Sequence, residues 1–455
     1  LRTSRGLGDV YKRQDQYQMN QKIGPIFLAK GISKTNALTF FYACFICIGI
    51  LAGMNFVQGY ILSVVLNIPM GGQGTVTGNL AFLQEIIAIL LIGPFGILCD
   101  RIGRKPVFVI GTLLISIGLA IYPYASNLTE LFIFRSIFAL GAACLSCVLA
   151  IVVGDYPAEQ SRGKFVSVHS ILNAFGVLGF AIVLGRLPFI LESNGYEAID
   201  AAKITMLIAA IIGLISAFIF YKGLKGGVPE DSEETSKSKP GTKELISVGI
   251  KSIVNPKIAL AYGATFLARA DVSINGLFIS QWAITSGYAM GLSPSESMGK
   301  VVPVIVATNL ISMFWAFLFG VIIDRIDRVN AMIIAMGMGL IAYGLIYFVD
   351  SPLNYANLPI FILISCSAIG TVIATASLIG QEAPLRQRGT VIGFSSFFGA
   401  IGILVATAIG GRLFDLSPMG PFLLIAGINA VLFIASILIA IKSSNEVDEK
   451  SSLSE

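Results

Sequence analysis

The stretch GILCDRIGRK, residues 96–105, follows a long apolar block and decides how the chain is interpreted. A second copy, GVIIDRIDRV, occupies residues 320–329 and follows another apolar block. Further along each half, at nearly equal spacing, the chain carries an acidic residue and then an arginine: Asp155 and Arg162 in the first half, Glu382 and Arg388 in the second. Two segments of the same design in one chain indicate an internal duplication.

The composition indicates that lipid is the solvent of most of the chain. Of 455 residues, 55% are hydrophobic and 13% charged, and the mean hydropathy is +0.82. A soluble domain carries about 25% charged residues. The apolar residues form blocks of about twenty or more, each long enough to cross ~30 Å of hydrocarbon as a helix. Because the blocks are continuous and do not alternate with period two, they predict helices in preference to a β-barrel.

The blocks predict twelve spans. We place them at 37–62, 77–99, 106–125, 130–154, 165–190, 202–222, 258–287, 301–323, 330–350, 357–380, 390–413 and 420–441. The longest connection, 223–257, is rich in Gly, Pro, Ser, Lys and Glu, a composition typical of a linker. It separates six spans from six.

The predicted layout has six parts. Residues 1–14, LRTSRGLGDVYKRQ, look like a translated sequencing or cloning adapter and are not expected to belong to the fold. The remaining parts are an N-terminal tail (15–35), a six-helix bundle (36–222), the linker (223–257), a second six-helix bundle (258–441) and a C-terminal tail (442–455).

The positive charges predict the orientation. Outside 1–14 there are 27 Lys and Arg; two lie within spans and four lie in odd-numbered connections, namely Arg186, Lys203, Lys300 and Arg412. The other 21 lie in the tails and the even-numbered connections. By the positive-inside rule those segments and both termini are cytoplasmic. We therefore expect a multi-pass protein of a bacterial inner membrane.

GILCDRIGRK resembles the signature of the major facilitator superfamily, and the span number, linker and repeat fit that family over about 36–441. The resemblance implies an all-α fold of twelve transmembrane helices in two pseudo-symmetric halves. It also implies secondary active transport of a small solute by alternating access, with proton coupling expected, no cofactor and a monomer sufficient for function. It does not indicate which solute is carried or in which direction.

The repeated motifs predict a cytoplasmic latch between the halves. Gly96 and Gly103 allow close backbone approach, and opposite charges at the membrane edge can pair. In the family, the motif's aspartate pairs with an arginine such as Arg162 and faces the start of span 11. Asp327 replaces a glycine in the second copy, so we expect that copy to be weaker. The predicted latch residues are Gly96, Asp100, Arg101, Gly103, Arg104, Asp155, Arg162, Asp324, Arg328, Glu382 and Arg388.

Ionisable residues inside spans are expensive there and indicate function. Glu85 in span 2 and Arg135 in span 4 lie at similar depth, so we predict that they form a buried ion pair. RSIFALGAA, which begins at Arg135, partly matches the RxxxGxG pattern of proton-driven family members. The pair has two open interpretations, because a buried ion pair can also serve packing alone.

Span 7 carries Arg269 and Asp271 near mid-membrane. Two residues apart on a helix, they point in nearly opposite directions and cannot pair. We expect one of them to face the cavity and contact substrate or a coupling ion. Asn275 and Gly276 suggest a local break of the helix.

The remaining candidate side chains are polar. Span 1 offers Asn55 and Gln58 and has no acid, which argues against adopting the proton mechanism of drug exporters unchanged. His169, the sole histidine, has an unperturbed pKa of about 6.5 that suits proton coupling, with Asn173 one turn further. The preferred interpretation of His169 is a hydrogen-bonded packing residue.

Two alternatives to the main interpretation stay open. Arg135 and Arg269 could clamp a carboxylate or phosphate, making the chain an organic-anion or phosphate carrier, although Glu85 and Asp271 would weaken such a clamp. A receptor or nutrient sensor on the same fold is a minor alternative. The chain has no enzyme motif, and its CxxC pairs lie in apolar blocks where cysteines pack, so we predict neither catalysis nor a metal site.

Overall fold

The computed structural model describes residues 21–227, 242–384 and 387–452. The predicted adapter at 1–14 and the central linker residues 228–241 lie outside the described residues. The described chain opens with a short hairpin of two strands, β1 (Lys22–Ile23) and β2 (Ile26–Phe27).

Twelve long helices follow. They are α1 (Lys34–Val64), α2 (Met70–Ile102), α3 (Arg104–Ile121), α4 (Leu128–Asp155), α5 (Arg162–Ser193), α6 (Ala198–Gly223), α7 (Pro256–Ala289), α8 (Pro294–Ile323), α9 (Arg328–Leu345), α10 (Leu358–Glu382), α11 (Arg388–Leu416) and α12 (Gly420–Ser452). A shorter segment before α7, Thr242–Ser252, is the linker helix. Eleven long helices among the described residues are apolar enough to span a membrane. The twelfth, α7, carries Arg269, Asp271 and Asn275 in its middle.

Local sequence explains several helix starts. The Ser33 hydroxyl accepts the N–H of Asn36, whose side chain accepts the N–H of Ser33 in return. Ser293 and Glu296 make the same reciprocal pair at the start of α8. Each pair satisfies two backbone donors that the first turn leaves free.

The two halves repeat the same packing. In the first half, α1 packs on α5 and α6, and α4 on α2 and α3; in the second, α7 packs on α11 and α12, and α10 on α8 and α9. The halves meet through α2 with α11, α5 with α8, and α1 with α7. The prediction of twelve helices in two pseudo-symmetric halves is confirmed.

The halves touch at one end of the molecule and separate at the other. Gly74 on α2 lies against Gly411 on α11, so that a Cβ at Gly74 would be 2.5 Å from the Gly411 carbonyl oxygen. Further along the same two helices, Gly93 and Gly393 have no atom within 4 Å of their Cβ positions. We call the end with the odd-numbered connections the closed end, and the end with the motif connections the open end.

Candidate functional site

Arg269 of α7 and Glu85 of α2 carry opposite charges on the two sides of the gap between the halves. The Arg269 side chain is exposed and Glu85 is half-buried. The two side chains belong to different halves and lie within electrostatic range of each other. Gly399 of α11 makes room for the arginine, since a Cβ there would lie 2.8 Å from Arg269 Cγ.

Arg135 lies buried inside the first half. Its Nη2 donates to Asn55 Oδ1 at 2.8 Å, and its guanidinium carbon is 5.0 Å from the centre of the Phe138 ring. Its Nε and Nη1 have no partner among the described residues. The predicted ion pair between Glu85 and Arg135 is wrong: Arg135 points towards α1, whereas Glu85 lies near Arg269 of the other half.

Gln58 extends the polar cluster of the first half. The hydroxyl of Tyr122, just after α3, donates to Gln58 Oε1 at 2.7 Å, and Gln58 Nε2 finds no partner within the described chain. Asn55, Gln58 and Arg135 therefore lie close together although they come from two helices. The cluster holds one full positive charge and unpaired donors, an arrangement that attracts a hydrogen-bond acceptor.

The second half has its own polar cluster, on α7 and α9. Asp271 is 2% exposed and accepts hydrogen bonds from the hydroxyl of Tyr343 and the amide of Asn275. As their spacing predicts, Asp271 and Arg269 point different ways, and Arg269 alone is exposed. The predicted helix break is wrong: α7 is continuous through Asn275 and Gly276. The side-chain amide of Asn275 also donates to the Asp271 carbonyl of the same helix at 3.0 Å.

His169 joins α5 to α1. Its Nδ1 lies 3.1 Å from Cys44 Sγ, its Nε2 lies 3.0 Å from the Asn173 amide, and its ring stacks on Phe40 at 5.9 Å. Both ring nitrogens are thus occupied inside the first half. This is the environment expected of a helix-packing residue.

The first motif forms its contacts within the first half at the open end. Arg104 Nε is 3.1 Å from Asp155 and its Nη2 is 3.4 Å from Asp100. Gly103 lies between α2 and α3 with φ of +89°, a conformation that favours glycine. Asp100 does not contact Arg162 in this conformation, in which Arg162 pairs with Glu159 at 2.9 Å.

The other latch residues whose side chains are described also stay within their own halves. Arg101 is exposed in the last turn of α2, and Gly96 faces Cys147 of α4. In the second half, Arg328 lies 3.6 Å from Asp324, and Glu382 lies 3.4 Å from Lys257. The side chain of Arg388 lies outside the described ones. In this conformation the described motif residues do not bridge the gap.

Sequence reasoning missed Gln281 of α7. It is fully buried beside Gly59 of α1, and both atoms of its amide lack a partner among the described residues. Gln281 lies 223 residues after Gln58, nearly the spacing between Asp100 and Asp324. That repeat spacing is the signal that could have found it.

Thiols and acids do not gather into a metal site in the described chain. The six cysteines are free and buried, and no group of three or more His, Cys, Asp or Glu residues could hold a metal ion within the described ranges. The polar groups that could contact a solute are Glu85 and Arg269 at the gap and the two buried clusters around Arg135 and Asp271.

Comparison with curated proteins finds relatives along most of the chain. The chain is 26% identical to the magnetosome protein MamH of Paramagnetospirillum magneticum, over 80% of this chain and 83% of that protein. It is 23% identical to MamZ of the same organism but spans only 60% of the length of MamZ. It is 22% identical to multidrug resistance protein 2 of Bacillus subtilis, over 76% of this chain and 82% of that one.

Solved structures share the fold. The nucleoside transporter NupG superposes with a TM-score of 0.68 at 13% identity, covering 89% of this chain and 99% of that one. The family model described as Major Facilitator Superfamily matches residues 44–407, the greater part of the chain. This match and the twelve-helix, two-half fold lead to one conclusion: the chain is a multi-pass membrane protein that belongs to the Major Facilitator Superfamily.

Proposed function

We propose that the chain is a secondary active carrier that moves a small solute by alternating access, with a proton as the coupling ion. The observation that supports this most is the gap itself: the halves join at the closed end and part at the open end, with Glu85 of one half and Arg269 of the other within electrostatic range. A solute entering from the open end would reach charges from both halves before the halves close around it.

The open end is assigned to the cytoplasm. The connections there carry most Lys and Arg, including Arg101, Arg104 and Arg328, which is the distribution of cytoplasmic segments. On this assignment the conformation is inward-open, both termini are cytoplasmic, and the membrane is a bacterial inner membrane.

Glu85 is the proposed coupling group. It is a carboxylate inside a span whose attraction to Arg269 depends on how close the halves are. Binding a proton would remove that attraction, so a proton and the movement of the halves would be linked.

The test is transport in proteoliposomes containing the purified chain. A panel of sugars, carboxylates, amino acids, nucleosides and hydrophobic cations is assayed with and without an imposed pH gradient. We expect one class to move, faster with the gradient, and Glu85→Gln to lose the gradient dependence. Asp200→Asn is the matched control, because Asp200 is an exposed acid that pairs with Lys203 of its own helix.

Two results would contradict the proposal. Movement of a solute that ignores the gradient in the unaltered protein would remove proton coupling. Tight binding of a solute that is never transported would favour the receptor or sensor interpretation.

A second candidate function is transport of an organic anion or phosphate, supported by the unpaired donors of Arg135. A buried guanidinium without a counterion is costly, and an oxyanion supplies both the charge and the acceptors that Nε and Nη1 lack. Arg269 would be the second cation, on the other side of the gap.

Thermal stabilisation by ligands distinguishes this candidate. A carboxylate or phosphate at ~100 times its Kd should stabilise the protein by about 2.7 kcal/mol, and Arg135→Gln should abolish the effect. Stabilisation by neutral or cationic compounds alone would rule out the anion carrier.

A further inference from the structure

Two carboxylates occupy equivalent places at the closed end. Glu192 is the penultimate residue of α5 and Asp415 is the penultimate residue of α11. They lie 223 residues apart, against 224 for Asp100 and Asp324 of the repeated motif. Each half therefore carries an acid at its closed end as well as one at its open end.

Each of these carboxylates bonds across the boundary between the halves. Glu192 accepts the hydroxyl of Ser295 on α8, and also that of Tyr60 in its own half at 2.7 Å. Asp415 accepts the backbone N–H groups of Gly74 and Thr75 on α2, at 2.7 and 2.8 Å. In both cases the C-terminal end of a helix from one half contacts the N-terminal end of a helix from the other.

The position of these acids is unfavourable within their own helices. The C-terminal turn of a helix carries partial negative charge, which repels a carboxylate, whereas the first turn of α8 beside Glu192 carries partial positive charge, which attracts it. Asp415 instead accepts two N–H groups from the second turn of α2. Hydrogen bonds to a charged acceptor are also stronger than those between neutral groups. Asp415 is therefore compensated by these bonds only while the halves touch at the closed end, whereas Glu192 keeps its bond from Tyr60 and loses the one from Ser295 when they part.

We propose that Glu192 and Asp415 form a duplicated closed-end latch that holds the halves together in this conformation. The latch must release before the passage can open on that side. The two acids are equivalent by the repeat, although one accepts a hydroxyl and the other two backbone N–H groups, and each carries part of the closure. This inference rests on the proposed alternating-access function, because a latch of this kind matters only in a molecule that opens at both ends in turn.

Hydrogen–deuterium exchange of the full chain in lipid nanodiscs tests the latch. In the Glu192→Ala/Asp415→Ala variant we expect faster exchange in closed-end peptides, 70–80 and 290–302, and slower exchange in open-end peptides, 96–105 and 310–323. Slower exchange at the open end separates a shift of conformation from local fraying. Each carboxylate should change the ratio of the two conformations by about tenfold.

Asp200→Asn is the matched control, since this closed-end acid pairs within α6 and should leave exchange unchanged. If the double variant does not fold, Ser295→Ala removes the bond to Glu192 from the partner side, and Asp415→Asn weakens the other contact by removing its charge. Unchanged exchange at the closed end, or faster exchange at both ends, would overturn the proposal. The measurement needs no solute, so its outcome is separate from that of the transport assay.

Discussion

Gly103 has a backbone conformation that a side chain cannot easily adopt. Its φ of +89° and ψ of 163° lie in a region nearly exclusive to glycine. Gly103→Ala should therefore lower the free energy of unfolding by about 1–3 kcal/mol. The measurement is thermal unfolding in detergent, with Gly96→Ala as the control, because a Cβ at Gly96 meets only Cys147 Sγ at 4.0 Å. Equal effects of the two changes would contradict the backbone explanation.

Tyr156, just after α4, gives a pH-dependent prediction. Burial raises the pKa of its phenol to about 12, although the N–H of Lys225 donates to it. Below the unfolded value of about 10 the phenol is neutral in both states. As the pH rises from about 10 to 12 the unfolded state ionises first, so the stability falls over that window.

The measurement is denaturant unfolding of the unaltered chain and of Tyr156→Phe. The stability of the unaltered chain relative to Tyr156→Phe should be constant below about pH 10 and should fall between about pH 10 and 12. A difference in stability that stays constant up to pH 12 would show that burial does not raise the pKa of the Tyr156 phenol.

Side-chain partners were the least predictable feature at this scale. Equal depth suggested that Arg135 would meet Glu85, but depth along a span does not give the direction in which a side chain points around the helix axis. Arg135 points towards Asn55, and Glu85 lies near Arg269 of the other half. The sequence alone shows which spans carry charge, and the partners depend on how the halves are packed.

At the scale of elements, α2 and α11 approach closely at one end only. A Cβ at Gly78 would lie 3.0 Å from Gly411 Cα and closer still to the Thr407 carbonyl oxygen, whereas Gly93 on the same helix has open space. Gly78→Ala should destabilise the closed end by about 1–3 kcal/mol through overpacking. Gly93→Ala should be neutral or slightly stabilising, because alanine favours a helix.

Thermal unfolding of these two variants makes a matched comparison within α2. A loss of stability for Gly93→Ala equal to that for Gly78→Ala would mean that the helices also touch at the open end. This asymmetry could not be predicted from sequence, since both glycines lie in apolar surroundings of one helix. It depends on which of two conformations the halves adopt.

At the scale of the whole molecule, the fold was predictable because duplication repeats a pattern. The spacing of Asp100 and Asp324, the six-and-six division and the length of the apolar blocks predicted two six-helix halves before any contact was known. The same repeat relates Gln58 to Gln281 and Glu192 to Asp415. Gln281, Glu192 and Asp415 were missed because an isolated Gln or a helix-end acid carries no motif of its own. The linker helix was not predicted, because its 11 residues lie inside a connection whose polar composition is typical of a linker.

The final prediction concerns the balance between the two ends. Asp100 is half exposed and pairs with Arg104 of its own half while the open end is apart. When that end closes, the family resemblance places Asp100 at the N-terminal end of α11, whose partial positive charge attracts it. Asp100→Asn should therefore disfavour closure of the open end and enrich the present conformation. Asp324→Asn should do so less, because Asp327 adds a second acid beside it.

Combining the changes tests this balance directly. Loss of Glu192 and Asp415 disfavours the present conformation, in which the closed end is shut. Loss of Asp100 disfavours the other conformation, in which the open end is shut. The two changes should therefore shift the conformational equilibrium in opposite directions. Because the sites lie at opposite ends of the molecule, their free energies should add. Hydrogen–deuterium exchange of the triple variant should thus fall between that of Asp100→Asn and that of the double variant. A triple variant that matches either parent would show that one end alone sets the equilibrium between the two conformations.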